Sequence, residues 1–360
     1  MSLGQRVHNA RIAAGLTLQE LGDALGVTKA AIKKYESGQS TPDSSRLLAI
    51  AQACGVRTEY FFRRHEVKLC AVEFRKNQSF GKKRTEAVKL RVAAMAEKWV
   101  ELLESFPASP VSLFEMPALM PESIDDPAAL EGIAEDLRHH WELGLNPIAD
   151  ITSTLEDLGV LVVTVEEPHR GFSGMVAEAV TSAGQTYPVI SVSSTWPGDR
   201  QRFTLLHEFS HWLLGGRLAD TLDIEKACDR LAGAMLAPRT AVVHELGDRR
   251  TQLDPHELQR LKIEYGLSMR GLAVRALQCD VLSPSRFQTL MKLFSAQGWN
   301  REEPGDPLPV ERPQRFEQLV YRALAEGLIR EEKAAALLDI PRMEFSRQRW
   351  IEAPGAAVNQ

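Results

Sequence analysis

Five consecutive residues, His207-Glu208-Phe209-Ser210-His211, are of the types that hold and use a transition metal. Positions four apart on a helix share a face, so His207 and His211 present both imidazoles to one ion, with Glu208 beside them. Zn2+ in such a site lowers the pKa of its water toward ~7, and a carboxylate takes the proton as the hydroxide attacks a carbonyl. Downstream, Glu225 and Asp229 are again four apart in DIEKACDRLAGAML. A carboxylate at Glu225 completes a His2Glu set and leaves the fourth position open for water or substrate. Asp229 is placed to accept the free ring N–H of a ligand histidine. Asp223 competes with Glu225 for the third place, and Tyr187, His169 and His244 are candidates for stabilising an oxyanion.

Such ligands work only on rigid supports. Phe203, Leu205, Leu206, Trp212, Leu213 and Leu214 predict a buried helix over about 200–214, and Ile224, Cys228, Leu231, Ala232, Met235 and Leu236 predict a second over about 220–236. Three strand-like runs precede them: VLVVTV (160–165), SGMVAEAV (173–180) and YPVISVSS (187–194). The last, with Pro188 at its start, is expected to be an exposed edge that pairs with an extended substrate. Helices first, then a small sheet, then the helix bearing the histidines: that order gives an α+β class, mostly helical.

Residues 3–64 predict five short helices. Thr17-Leu-Gln-Glu20 is a capping box, Gly26 permits a tight turn, and TKAAIKKYE follows as a basic second helix. A helix pair with this turn is a helix-turn-helix that places its second helix, residues 28–36, in the DNA major groove. Thr28, Lys29 and Ala31 then approach base edges, Lys33 and Lys34 meet phosphates, and Gln19 reaches either. Charge agrees with this: residues 1–65 carry +4 and residues 66–100 carry +5, against −14 on the remainder. A basic leader on an acidic body suits a chain that meets double-stranded DNA with its N-terminal part.

A composition of 44% hydrophobic and 25% charged residues is that of a globular protein. The four cysteines lack CxxC spacing, which argues against a disulfide framework or a thiolate zinc site. With no signal-like or membrane-spanning apolar run, a cytoplasmic location is expected, and no membrane partner. The chain divides into a helix-turn-helix domain (1–65), a basic helical connector with a Pro-rich loop (66–125), a zinc-site domain (126–280) and a C-terminal helical region (281–360). The last is expected to supply packing or a homodimer contact.

Two family resemblances sharpen these readings. RIAAGLTLQELGDALGVTKAAIKKYESGQSTPDSSRLLAIAQACGV resembles the Xre/Cro family of helix-turn-helix regulators over about 5–60. PVISVSSTWPGDRQRFTLLHEFSHWLL and EKACDRLAGAMLAP resemble the ImmA/IrrE family of metallopeptidases over about 145–245. The second resemblance implies a minimal thermolysin-like domain, Zn2+ held by His207, His211 and Glu225, and Glu208 as general base. It also implies limited proteolysis of a regulatory protein, a repressor or antitoxin-like protein encoded alongside. Phe209-Ser210 and Cys228-Asp229 depart from the usual pattern without removing a ligand. The alternative expectation is a transcription regulator whose zinc site is sensory or structural, without proteolysis.

Overall fold

The computed structural model describes residues 1–63, 65–76, 80–167 and 169–349, with backbone only at Arg75 and Lys76; residues 350–360 of the expected C-terminal region, like Arg64 of the basic leader, lie outside the described residues. Four helices open the chain: α1 (Leu3–Ala13), α2 (Leu18–Leu25), α3 (Lys29–Glu36) and α4 (Ser44–Cys54), followed by a 3-10 turn at Thr58–Phe62. The capping box forms as its residues dictate. Thr17 Oγ1 accepts from Glu20 N at 3.1 Å, and Glu20 Oε2 accepts from Thr17 N at 2.7 Å. Those contacts hold the Glu20 carboxyl below its usual pKa, backbone hydrogen bonding to Thr17 first. Gly26, at φ 65, makes the left-handed turn between α2 and α3. The cap of α4 is Asp43, whose Oδ1 accepts from Arg46 N at 2.8 Å. Val7, Leu21, Ile32, Ile50 and Phe61 form the core of this unit.

After it come β1 (Val67–Lys76) and the long helix α5 (Lys82–Leu103), then α6 (Ala129–His140) and α7 (Ile151–Asp157). Strands β2 (Leu161–Val165), β3 (Phe172–Thr181) and β4 (Thr186–Ser193) follow, within a residue of the three expected runs. The sheet order is β1-β3-β4-β2; β3 lies antiparallel to both of its neighbours, and β2 runs parallel to β4.

Two expectations change here. Strand β4 is interior, paired with β3 on one side and β2 on the other, so it is no free edge for a substrate. Pro188 is tolerated because it precedes Val189, where the ladder with β2 begins. And β1, read above as part of a basic, partly helical stretch, is a strand. Val67, Leu69, Val72 and Phe74 all face the apolar cluster that α5 forms with the sheet. One extra residue interrupts their alternation. The register steps from Cys70↔Glu178 to Glu73↔Val176 through a bulge in which Ala71 has φ 47. Neither period 2 nor period 3.6 survives such an insertion in the sequence.

The sheet separates two cores. On one face α5 lays Val88, Val92, Ala96 and Trp99 against Leu161, Val163, Phe172 and Met175, joined by Phe316 from the C-terminal helix α14 (Arg315–Ala325). On the other, α8 (Gly198–Leu214) and α9 (Ile224–Leu236) pack with Val176, Ile190 and Val192. Helices α10 (Arg239–Leu246), α11 (Pro255–Tyr265), α12 (Met269–Gln278) and α13 (Pro284–Ala296) extend that second core; α15 (Glu331–Leu337) and α16 (Arg342–Arg349) close on the first. No helix among the described residues is long and apolar enough to cross a membrane.

Candidate functional site

Helix α8 carries His207 and His211 on one turn, buried by Leu205, Leu206, Phe209, Leu213 and Leu214. The Pro-rich loop reinforces this end of the helix. Phe114 stacks on Trp212 at 5.2 Å and meets Phe209 edge-on at 5.4 Å, while Ile124 N bonds to Arg217 O at 2.7 Å. Helix α9 starts one residue before Glu225 because Asp223 caps it, accepting from Glu225 N at 3.0 Å and Lys226 N at 3.2 Å. Asp223 is thus engaged as the N-cap, and Glu225 is the carboxylate whose oxygens lie beside the two histidines.

His207 Nε2 and His211 Nε2 lie 3.2 Å apart. Glu225 Oε2 is 3.4 Å from the first and Glu225 Oε1 is 3.4 Å from the second. Tetrahedral ligands at the usual Zn–N and Zn–O lengths are separated by about 3.3 Å, so this donor set fits Zn2+ in size and type. Burial pushes the Cys228 thiol pKa up, and the donors grouped here are His207, His211 and Glu225.

The remaining ring nitrogens are also engaged. His207 Nδ1–H donates to Asp229 Oδ1 at 2.7 Å, the contact expected of Asp229. His211 Nδ1 lies 3.2 Å from Glu73 Oε2. Glu73 was invisible in the sequence because it belongs to β1, far upstream, and only the bulge turns it toward α8. Each histidine thus has its Nδ1 against a carboxylate, an arrangement that orients Nε2 toward Glu225 and the other ring.

Glu208 is fully buried on the same turn, facing β3. A Cβ added to Gly174 of β3 would meet Thr204 Cγ2 at 2.6 Å and Glu208 Cγ and Oε1 at 2.9 Å. Glycine at 174 therefore sets how closely strand and carboxylate approach. The three oxyanion candidates stand elsewhere. Tyr187 packs into the α5-side core, the His169 ring lies against Phe80, and His244 is exposed on α10 beside Glu245.

In the N-terminal unit Lys29, Lys33 and Lys34 are exposed along α3 and Gln19 is exposed on α2, where its Nε2 donates to Asp23 Oδ1 at 2.7 Å. Thr28 caps α3, its Oγ1 accepting from Ala31 N at 3.3 Å, and Ala31 is half-buried. The opposite side of α3 is closed by Ile32 and Tyr35.

Comparison with known proteins bears on both units. Residues 7–61 match the family described as Helix-turn-helix, and residues 156–277 match the IrrE N-terminal-like domain. The chain joins a helix-turn-helix domain to an IrrE-like, metallopeptidase-family domain. Among curated proteins it is 42% identical over 60 residues to an uncharacterized transcriptional regulator in the ATPase CF(0) region of Rhodospirillum rubrum, covering 17% of this chain and 56% of that one. It is 34% identical over 67 residues to the HTH-type transcriptional regulator ImmR of Bacillus subtilis (strain 168), covering 19% and 53%. An uncharacterized HTH-type regulator of Sinorhizobium medicae (strain WSM419) is 37% identical over 60 residues, covering 17% and 43%. The chain spans about half the length of the curated relatives it matches. The IrrE-like match contains β2, β3, β4, α8 and α9, and so His207, Glu208, His211, Glu225 and Asp229; β1 and Glu73 lie outside it.

Proposed function

We propose that the chain is a DNA-binding transcription regulator, acting in the cytoplasm, whose IrrE-like domain is a Zn2+-dependent endopeptidase acting on a partner regulatory protein, a repressor or antitoxin-like protein. The observation that carries this reading is the triangle of His207, His211 and Glu225 with Glu208 on the adjoining turn against β3. A purely structural metal site has no use for a buried carboxylate there.

When bound, Zn2+ would supply Lewis acidity, lowering the pKa of a water and polarising a peptide carbonyl. His207, His211 and Glu225 would hold it, with Asp229 fixing the His207 ring; Glu73 meets the His211 ring while β1 is in place. Glu208 accepts the proton of the attacking water and passes it to the departing amine nitrogen. On the DNA side, Thr28, Lys29 and Ala31 at the start of α3 and Gln19 on α2 face the groove, and Lys33 and Lys34 meet the phosphates.

Glu208→Gln tests the reading, because it keeps the side chain's size and cannot take up a proton at neutral pH. Incubated with co-encoded repressors, the variant should retain its zinc while cleavage, followed on gels, falls ~10²-fold or more. Equal cleavage by both forms removes Glu208 from its role. No cleavage of any such partner by the native chain turns the reading to a zinc-sensing regulator.

A further inference from the structure

The three strands inside the IrrE-like match have the order β3-β4-β2, which leaves β3 as an edge. That edge is the one nearest the metal ligands, since Gly174 of β3 touches Glu208 and Val176 packs into the α8 core. An open strand edge offers a row of backbone donors and acceptors to any extended chain. In this protein the edge is taken. Strand β1, about eighty residues before the matched domain, pairs antiparallel along β3 from Val67↔Thr181 to Lys76↔Phe172. Its Glu73 reaches the metal ligand His211, so the pairing passes directly beside the site.

Strand β1 is a poor permanent member of the sheet. It is paired on one side only, its ladder is interrupted at Cys70/Glu73 and again at Arg75/Lys76, and Ala71 holds a left-handed conformation. Its hold comes from Val67, Leu69, Val72 and Phe74, which lie on the α5-side cluster. The segment leading into it is gripped by the helix-turn-helix domain: Arg6 of α1 donates to the backbone oxygens of Arg63 and His65, at 3.3 and 2.8 Å, and to buried Glu97.

We propose that the outer edge of β3 is a binding surface for an extended protein segment with apolar residues on one face, and that β1 is its resident occupant. A partner segment enters by displacing β1, which carries Glu73 away from His211 and opens the approach to the metal site. The proposal rests on the peptidase reading for the fate of that segment, and on the strand pairing alone for its binding.

The natural cysteine at position 70 supplies the test. Cys70 is exposed, whereas Cys54, Cys228 and Cys279 are buried, and it faces Glu178 directly across the ladder. Directly opposed antiparallel residues have Cα atoms about 4.5–5.5 Å apart, inside the range a disulfide spans. The Glu178→Cys variant of the full chain, with Glu208→Gln to prevent turnover, is therefore a redox-switchable lock. The probe is a fluorescein-labelled peptide of residues 66–76 carrying Cys70→Ser, with binding read by anisotropy and zinc measured on the same samples. The reduced protein should bind the peptide at least tenfold tighter than the oxidised one at equal zinc content. Phe74→Ala, which removes an anchor of β1, should bind it at least fivefold tighter than the native chain. Equal binding in both redox states, or none in either together with none in Phe74→Ala, overturns the proposal. Because no peptide bond is cut in this assay, its outcome is separate from whether the native chain is a protease. Tight, lock-sensitive binding without cleavage of any repressor would leave this surface standing and remove the peptidase reading alone.

Discussion

Asp229 Oδ1 sits 2.7 Å from His207 Nδ1, and Glu225, one helical turn earlier on α9, points its carboxylate at the opposite nitrogen of the same ring. One helix therefore holds both ends of one imidazole. Removing the outer contact frees the ring to rotate and to take the wrong tautomer. Asp229→Ala should weaken zinc binding 10- to 100-fold with the fold intact, as read by competition with a chromophoric chelator. An unchanged affinity would mean that packing alone orients His207.

Gly174→Ala tests the approach of β3 to the base. The added methyl overlaps Thr204 Cγ2 and the Glu208 side chain, both buried on α8. Destabilisation of about 1–3 kcal/mol is expected. Repressor cleavage should fall more than zinc content does. Full activity at native stability would show that the helix moves off the strand freely.

Glu156 of α7 carries the clearest pH dependence. Its Oε2 accepts from the backbone N–H groups of Gln314 and Arg315 at 3.2 Å each, yet burial pushes its pKa up to about 7. A raised carboxyl pKa means that the folded state prefers the protonated form. The associated stability is complete below the unfolded value near 4.5 and is lost as pH rises through about 7. Glu156→Gln should remove this slope. Denaturant midpoints of the variant should exceed those of the native chain at pH 8 and converge with them at pH 5. The same slope in both proteins would assign it to another group.

For DNA, Lys33 and Lys34 each neutralise one phosphate in the proposed docking. The double alanine variant should flatten the slope of log affinity against log salt by about 1.8. Filter binding or anisotropy on an operator duplex measures it, and an unchanged slope moves the phosphate contacts off α3.

Most of this site was legible in the sequence because its parts are local. The His207–His211 pair, Glu208, Glu225 and Asp229 obey helical spacing, and the helix-turn-helix is read from Thr17, Glu20 and Gly26, whose roles are decided within a few residues. Two features were not. Sheet order depends on pairings between distant segments, so β4 was read as an edge although β2 covers it. Strand β1 was hidden by a single residue: without Ala71, Val67, Leu69, Val72 and Phe74 would alternate in register, as a strand requires. With it hidden, Glu73 had no reason to be associated with His211.

That same residue sets a ceiling on how firmly the chain can occupy its own cleft. A left-handed alanine costs about 1 kcal/mol relative to an unstrained backbone, and a competing segment without the bulge carries no such handicap. At a tenfold change per 1.4 kcal/mol, this alone tilts the exchange about fivefold toward the newcomer. Ala71→Gly relieves the strain without altering the register, so it should make the protein a more stubborn self-competitor, with peptide binding reduced by that factor. Ala71 then acts as the setting of a threshold: the concentration of partner at which the β3 edge changes hands.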